Sequence, residues 1–285
     1  MNLNKLKNYV FAPIEQDLTV RDTILYALGL GYGFNPTAPE ELQFLYEEGL
    51  KSIPSMSCVL GYPGFWLSNP ELEVDWVKLL HGEHYYEIHR PLPVEGRVVA
   101  SHRVVGVDDK GEGRGVVVNF EKTLQDAEGQ LLATIRQSNF CRGDGGCGGF
   151  GSPAEERPPL PEGVPDAVHE ISTSRQIALL YRLNGDYNPV HADPDVARKA
   201  GYPGPWIAGM CSMGLATRAV IDKFCDHDPD RIKSMLVRFR NVCFPGETLR
   251  FEFYLREGGA RFRGVCVERD VIILDRGEVC YLGQR

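Results

Sequence analysis

The chain has 285 residues and a mass of 31.8 kDa, with 43% hydrophobic, 10% aromatic and 25% charged side chains. This average composition excludes a fibrous or wholly disordered protein, and a chain of this length can fold without disulfides or structural metals. The net charge of -8 has the wrong sign for a protein that wraps the nucleic-acid backbone, so we expect no nucleic-acid partner.

In the first half of the chain, one predicted helix precedes four predicted strands. Thr19 and Asp22 resemble an N-capping box, and apolar residues recur at helical spacing until Gly29. Strand patterns follow at residues 85–89, 97–107, 115–124 and 131–140. The turn at residues 126–129 predicts an antiparallel hairpin between the last two strands.

A glycine-rich and then proline-rich segment separates the two halves. Glycines in series permit close backbone approach, and the prolines after them favour a stiff, extended connector. We therefore predict an N-terminal half at residues 1–142, a linker at 143–165 and a C-terminal half at 166–285.

The second half repeats the order of elements. A strand at residues 167–171 precedes a helix near residues 177–183, and a second helix is predicted at residues 210–224. Strand patterns follow at residues 233–239, 249–255, 261–268 and 271–274. A helix followed by consecutive antiparallel strands, twice, predicts an α+β fold in which a curved sheet wraps round a central helix in each half.

The segment at residues 181–194 carries the side chains best suited to chemistry. Asp186, Asn188 and His191 lie close together in a stretch that its prolines keep out of a helix. An extended and turned path can aim Asp186 and His191 at one water, as a general base and a general acid. The alternative is a turn in which Asp186 caps the backbone, Asn188 makes an Asx bond and His191 is merely a supporting group.

A glycine stands at the start of the second predicted helix of this half. Gly209 would let a ligand approach the free amides of the helix N-terminus, where negative charge is favoured. Such a site could stabilise a thioester enolate. Alternatively, Gly209 only breaks the chain direction before a core helix.

These segments together resemble the MaoC-like hydratases, and most closely the 2-enoyl-CoA hydratase 2 domain of peroxisomal multifunctional enzymes type 2. The resemblance rests on residues 181–191, 200–201 and 209–211. Similar segments elsewhere extend it over nearly the whole chain, at residues 24–31, 44–47, 81–83, 90–93, 148–151, 238–239 and 245–248.

The resemblance implies a double hot-dog fold that adds water to trans-2-enoyl-CoA and gives (3R)-3-hydroxyacyl-CoA, with no cofactor and no metal. Asp186 and His191 would activate the water, Asn188 would orient the water or the substrate, and the Gly209 amide would stabilise the enolate oxygen. The positions that would contact the acyl-CoA are Tyr187, His81, Gly82, Lys110 and Phe239. The first half lacks the motif and would form a roomier acyl tunnel, which leaves one active site per chain.

One departure from the family pattern bears on the activity. Ala208 stands where the family usually has a histidine, directly before Gly209. Two alternatives to a hydratase remain: an acyl-CoA thioesterase, which the same fold supports, and a non-catalytic acyl-CoA-binding protein, which Ala208 makes possible.

The cysteines and the chain ends bear on the compartment. None of the eight cysteines forms a CxxC pair or has a histidine at zinc-finger spacing, which predicts reduced thiols. From the sequence we expect no signal peptide, no membrane span and no peroxisomal import tripeptide at residues 283–285. The expectation is a cytoplasmic protein without a membrane partner, for which a homodimer is possible.

Overall fold

The computed structural model describes residues 1–152 and 157–283. Ten antiparallel strands form one continuous sheet in the order β1-β3-β4-β5-β2-β7-β10-β9-β8-β6. The strands are β1 (Ile14–Leu18), β2 (Leu79–Ile88), β3 (Gly96–Asp109), β4 (Val116–Asp126), β5 (Leu131–Cys141), β6 (Ala167–Ser172), β7 (Ile232–Phe239), β8 (Thr248–Arg256), β9 (Gly259–Cys266) and β10 (Val271–Tyr281).

The sheet consists of two five-stranded halves with the same topology. Each strand of the first half, numbered n, corresponds to strand n+5 of the second, because β1-β3-β4-β5-β2 mirrors β6-β8-β9-β10-β7. The halves join where β2 pairs with β7, with Tyr85 opposite Leu236. The predicted duplication in element order and the α+β class are confirmed.

In the described residues, five α-helices accompany the sheet. They are α1 (Leu3–Lys7), α2 (Val20–Gly29), α3 (Ile177–Tyr181), α4 (Pro194–Lys199) and α5 (Gly209–Phe224). The capping box that the sequence predicts is present at the start of α2, where the Thr19 side chain accepts from the Asp22 amide. Within the described part of the chain, no helix is long and apolar enough to cross a membrane.

The two halves differ in what covers the inner face of the sheet. In the C-terminal half, the 16-residue α5 buries ten of its residues and packs on β6, β7 and β10. At the corresponding place in the N-terminal half, a short 3-10 helix, Pro54–Cys58, lies fully buried against β2 and β5. Helix α2 packs on α3 of the other half. One core cluster of buried side chains therefore runs through both halves.

Two strands extend well beyond their predicted bounds. Strand β2 begins at Leu79 rather than at residue 85, and β10 continues to Tyr281 rather than ending at residue 274. Both contain irregularities that interrupt the period of two on which the predictions relied. In β10 the register shifts between Asp275 and Glu278, and Arg276 has a positive φ of 49°. Strand β1 was not predicted, because its three consecutive polar residues, Glu15, Gln16 and Asp17, give no alternation of apolar and polar side chains.

The first part of the predicted linker packs on the N-terminal half. Phe150 pairs with Val107 of β3, and a Cβ on Gly149 would lie 2.5 Å from the Val107 carbonyl oxygen. Glycine is required there because the two backbones approach too closely for a side chain. Residues 153–156 of the predicted linker and residues 284–285 lie outside the described residues.

Candidate functional site

The segment that carries Asp186 and His191 is a succession of short turns. Helix α3 ends at Tyr181, and Gly185 then takes a left-handed conformation with φ of 117°. The Asn188 side chain accepts from the Val190 amide at 3.3 Å and caps the 3-10 turn Pro189–His191. This turn brings Asp186 and His191 to the same side of the loop, as the sequence predicts.

His191 and Asp186 face each other across a short gap. The distance from Nε2 of His191 to Oδ2 of Asp186 is 3.5 Å. Nδ1 of His191 lies 2.8 Å from the carbonyl oxygen of Trp206, which can only accept a hydrogen bond. Nδ1 therefore carries a hydrogen, and Nε2 is the nitrogen presented to the carboxylate and to any water beside it.

The surroundings favour an ionised Asp186. Burial raises the pKa of this carboxyl, but the hydrogen bond and charge of His191, with smaller contributions from the Asn188 amide and His81, outweigh burial and bring the pKa below its ordinary value. The Asp186 side chain keeps 36% of its surface exposed, whereas that of His191 keeps 8%. The carboxylate is thus both charged and reachable by a ligand.

The N-terminus of α5 offers free backbone amides. Ala208 precedes the helix and provides no side-chain cap, and the first bond of the helix runs from the Ser212 amide to the Ala208 carbonyl. The amide of Gly209 is thus available to another acceptor. Ala208 is 2% exposed, so the position at which the family usually has a histidine lies in the core.

A second group of predicted residues meets Gly209 from the paired strands β2 and β7, where the two halves join. A Cβ on Gly209 would lie 3.1 Å from the Phe239 ring, and the ring centroids of Phe239 and His81 are 4.5 Å apart. Burial lowers the pKa of His81 to about 4, and the negative charge of Asp186 opposes part of that effect. Asp186, His191, Gly209, His81 and Phe239 therefore belong to one site at the junction of the halves.

The other predicted residues are placed less centrally. Gly82 follows His81 and packs against Ser138, which leaves no space for a larger residue. Tyr187 is 60% exposed, and the Arg182 guanidinium lies 5.3 Å above its ring. The Asn188 side chain caps a turn, so its role toward water or substrate stays a prediction.

Lys110 lies apart from this site. It stands in the turn between β3 and β4, where its ammonium pairs with Asp108. A cleft of about 440 Å³ lies beside this turn, lined partly by Asp109 and Gly149. No contact in the described residues links Lys110 to Asp186, and its predicted role toward CoA stays a prediction.

Sequence reasoning missed two participants. The first is the carbonyl of Trp206, which fixes the proton of His191; a backbone atom 15 residues away has no signature in the sequence. The second is Tyr62, a half-exposed residue whose pKa is raised by burial and, to a lesser extent, by the negative charge of Asp186.

Comparison with known proteins assigns both halves. Residues 17–143 match the family profile described as the MFE-2 hydratase 2 N-terminal domain, and residues 157–276 match the MaoC like domain. A Dictyostelium discoideum protein named probable enoyl-CoA hydratase 2 is 34% identical, over 89% of this chain and 87% of its own length. The chain belongs to the enoyl-CoA hydratase 2 group of the MaoC-like family. The predicted class of enzyme, a hydro-lyase, is thereby confirmed.

Two further relatives agree in sequence and in structure. The peroxisomal multifunctional enzyme type 2 of Drosophila melanogaster is 36% identical over 93% of this chain, which spans only 46% of that protein. A MaoC-like dehydratase from Phytophthora capsici superposes with a TM-score of 0.88 at 32% identity, over 100% of this chain and 99% of the other.

A more distant structure identifies the fold alone. A Mycobacterium tuberculosis protein described as having a double hotdog fold matches with a TM-score of 0.60 at 16% identity, over 97% of this chain and 95% of its own. The predicted double hot-dog fold is confirmed.

Proposed function

We propose that the protein hydrates trans-2-enoyl-CoA to (3R)-3-hydroxyacyl-CoA, with Asp186 and His191 as the catalytic residues. The observation that carries the proposal is the pair itself: an ionised carboxylate 3.5 Å from an imidazole whose tautomer is held by the Trp206 carbonyl. A water bound beside them could donate to the Asp186 carboxylate while it contacts Nε2 of His191. The enoyl-CoA hydratase names of its relatives support this reaction class.

Asp186 carries the proton in both steps of the proposed reaction, while His191 holds the water beside it. As the water oxygen bonds to C3, Asp186 takes one of its protons, and the electrons of the double bond move through C2 to the thioester oxygen. The protonated Asp186 then returns that proton to C2, and the enolate collapses to the thioester. Oxygen and hydrogen thus come from one water and add to one face of the double bond.

The negative charge of the enolate develops on the thioester oxygen. The Gly209 amide at the N-terminus of α5 is a donor that needs no rearrangement to meet it. The ring of Phe239 lies against Gly209, and we assign it to the wall that orients the thioester. His81 and Gly82 would contact the substrate from the N-terminal half, and Tyr187 from the rim.

The remaining features of the proposal concern partners and surroundings. The reaction needs no redox or group-transfer step, so we propose that it proceeds without a cofactor or metal. Lys110 is proposed to pair with a phosphate of CoA. The cytoplasmic location stays a prediction, since relatives in Drosophila and Arabidopsis are named as peroxisomal, and so does the homodimer.

The test is to incubate the purified protein with a medium-chain trans-2-enoyl-CoA, follow the loss of the conjugated double bond and determine the configuration of the product. We expect the (3R)-3-hydroxyacyl-CoA from the wild type. For the Asp186→Asn variant we expect turnover to fall by about three orders of magnitude. A thermal unfolding curve of the variant controls for folding.

Three outcomes would contradict parts of the proposal. Release of free CoA would identify a thioesterase, and formation of the (3S) product would reverse the face of addition. Near wild-type turnover by a folded Asp186→Asn protein would remove Asp186 from the catalytic residues.

A further inference from the structure

A β-bulge in β2 places two histidines side by side next to the site. His81 pairs with Asn139 and His84 with Gln137, so Gly82 and Glu83 together oppose the single residue Ser138. The Glu83 amide, which the bulge removes from the ladder, donates to the Ser138 hydroxyl at 2.8 Å. Because the bulge adds one residue, side chains three positions apart point to the same face of the sheet.

The two imidazoles are in direct contact. Nε2 of His81 lies 3.1 Å from Nδ1 of His84, so one of these nitrogens donates to the other. His84 is 4% exposed, and its second nitrogen, Nε2, is buried without a hydrogen-bond partner in the described residues. The hydrogen bond to His81 is therefore the one polar contact that a buried imidazole makes there.

The direction of this hydrogen bond follows from the free-energy cost of placing a hydrogen on the buried, unpartnered Nε2 of His84. If His81 were the donor, the hydrogen of His84 would sit on its buried, unpartnered Nε2, and a buried N–H without an acceptor is rare and costly. If His84 donates through Nδ1, its Nε2 is only a lone pair. The nearby Lys122 ammonium favours a lone pair over an N–H there, and it also contributes to lowering the pKa of His84, after burial and His81.

The tautomer of His81 is fixed in turn. His81 is neutral near pH 7, because burial lowers its pKa to about 4. Since Nε2 accepts from His84, the hydrogen of His81 must lie on Nδ1. No residue in the described part of the chain accepts from Nδ1, and this atom is not among the buried unpartnered ones. His81 lies against Phe239 and close enough to Asp186 to sense its charge.

We propose that His84 is a positioning residue, which donates through Nδ1 to Nε2 of His81 and so makes His81 present an Nδ1–H donor to an oxygen of the bound acyl-CoA. The inference rests on the proposed function, and it adds a residue that does not itself reach the substrate. His84 acts by fixing the tautomer and the ring angle of its neighbour.

Three substitutions at residue 84 separate this role from simple packing. His84→Asn places an amide group at about the position of Nδ1, whereas His84→Gln places it at about the position of Nε2, and His84→Leu has neither. We expect kcat/KM for the enoyl-CoA to fall about tenfold in the Leu and Gln variants and to stay within about threefold of wild type in the Asn variant. Thermal unfolding shows whether each variant is folded.

Nitrogen-15 NMR of histidine-labelled protein gives a readout that packing would not move. We expect the His81 ring in the wild type and in His84→Asn to show a protonated Nδ1 and an unprotonated Nε2, and in His84→Leu a mixture of tautomers. The chain has seven histidines, and the spectrum of a His81→Gln variant assigns the signals.

Several results would overturn the inference. They are equal activity of the wild type and a folded Leu variant, equal rescue by Gln and Asn, or an Nε2-protonated His81 in the wild type. The proposed function would survive all three, because it depends on wild-type turnover, product configuration and Asp186. If the wild type itself does not hydrate the enoyl-CoA, the proposed function fails, while the NMR result still reports the tautomer.

Discussion

The two halves share one strand order but differ between their first and second strands. In the C-terminal half that interval holds α3, the turn with Asp186 and His191, and the long helix α5; in the N-terminal half it holds α2 and the short 3-10 helix Pro54–Cys58. Either set of helices can therefore pack on the inner face of this sheet. Among the described residues, only the C-terminal interval brings a carboxylate, an imidazole and a helix N-terminus together, and the proposed chemistry is therefore placed there.

The outer face of the sheet carries a similar ion-pair cluster in each half, although on strands that do not correspond in the duplication. Glu121 on β4 pairs with Arg103 and Arg136, and Glu252 on β8 pairs with Arg250 and Arg263, so each half carries one nearly buried glutamate between two arginines. These clusters hold neighbouring strands and have no contact with the site.

The inner face has diverged. In the C-terminal half it is apolar, with Val237, Phe251 and Phe262 fully buried, whereas the N-terminal half has His84 and Lys122 at buried inner positions. Lys122 donates to the carbonyl oxygens of Ser57, Cys58 and Leu60 at 2.7 to 2.9 Å, at and just beyond the end of the short 3-10 helix. A buried cation thus satisfies carbonyls that a longer helix would bond internally.

Of the differences between the two halves, the imidazole of His191 should matter most, and its removal should cause the largest loss of activity. His191→Gln loses the nitrogen that faces Asp186 and the Nδ1–H donor to Trp206, so we expect kcat to fall by roughly 10²- to 10⁴-fold. Steady-state hydration of the enoyl-CoA measures the change. His89→Gln, at an exposed residue, is the control. Unchanged kcat in a folded His191 variant would mean that Asp186 works alone.

The next largest effect concerns stability and the short 3-10 helix Pro54–Cys58 of the N-terminal half. Lys122→Met keeps the length of the side chain but leaves three buried carbonyl oxygens without their donor, so we expect the free energy of unfolding to fall by about 2–3 kcal/mol. Urea denaturation measures it, with Lys233→Met at an exposed position as the control, expected to change stability by less than about 0.5 kcal/mol. A Met variant as stable as the wild type would show that the short helix does not depend on the ammonium.

The same contrast explains what the sequence could predict. The strands β3, β4, β5, β8 and β9 carry long alternating patterns, and their predicted bounds agree with the structure within a few residues. The 3-10 helix Pro54–Cys58 and the burial of Lys122 could not be predicted, because a five-residue segment has no period. A lysine in a strand pattern also indicates the exposed face unless its partners, 62 to 65 residues away, are known.

The residues of the candidate site also fall into a predictable and an unpredictable group. Asp186, His191 and Gly209 were predicted from local spacing, since prolines and glycines fix the local path of the chain. The Trp206 carbonyl and the His81 to His84 contact depend on tertiary approach and on a bulge that shifts the facing of side chains by one residue. Period-two reasoning places His81 and His84 on opposite faces.

A smaller effect is a loss of folding stability in acid. It arises from His81 and His84 on the inner face of the N-terminal half. The pKa of His81 falls from 6.5 to about 4 on folding, chiefly through burial, and that of His84 is lowered too. Between these pH values the unfolded chain binds protons that the folded protein does not, so stability is complete above pH 6.5 and falls as the pH drops toward 4.

We expect this loss to be on the order of 2 kcal/mol and to shrink in a His81→Gln variant. Urea denaturation at a series of pH values measures the loss. The control variant His89→Gln should leave the slope of the free energy of unfolding against pH unchanged. If the His81 variant kept the wild-type slope, the acid sensitivity would have to come from other groups.

The smallest effect tests how closely the halves must fit at the site. Gly209→Ala retains the backbone amide and favours the helix, but its Cβ would lie 3.1 and 3.2 Å from two atoms of the Phe239 ring, which must shift by a few tenths of an ångström. Because the Phe239 ring contacts His81, a shift of this ring would also displace His81 on the N-terminal side of the site. We expect about a tenfold loss in kcat/KM with little change in thermal stability.

The matched control is Gly204→Ala, in the loop before α5, where an added Cβ meets nothing within 4 Å. It should leave kcat/KM unchanged, so that loss in the Gly209 variant alone is assigned to the ring of Phe239. If Gly209→Ala retained full activity, the exact position of the Phe239 ring would not matter to the bound thioester. The wall that Phe239 forms could then shift by a few tenths of an ångström without cost to the reaction, and a close fit between the halves would not be required at this point of the site.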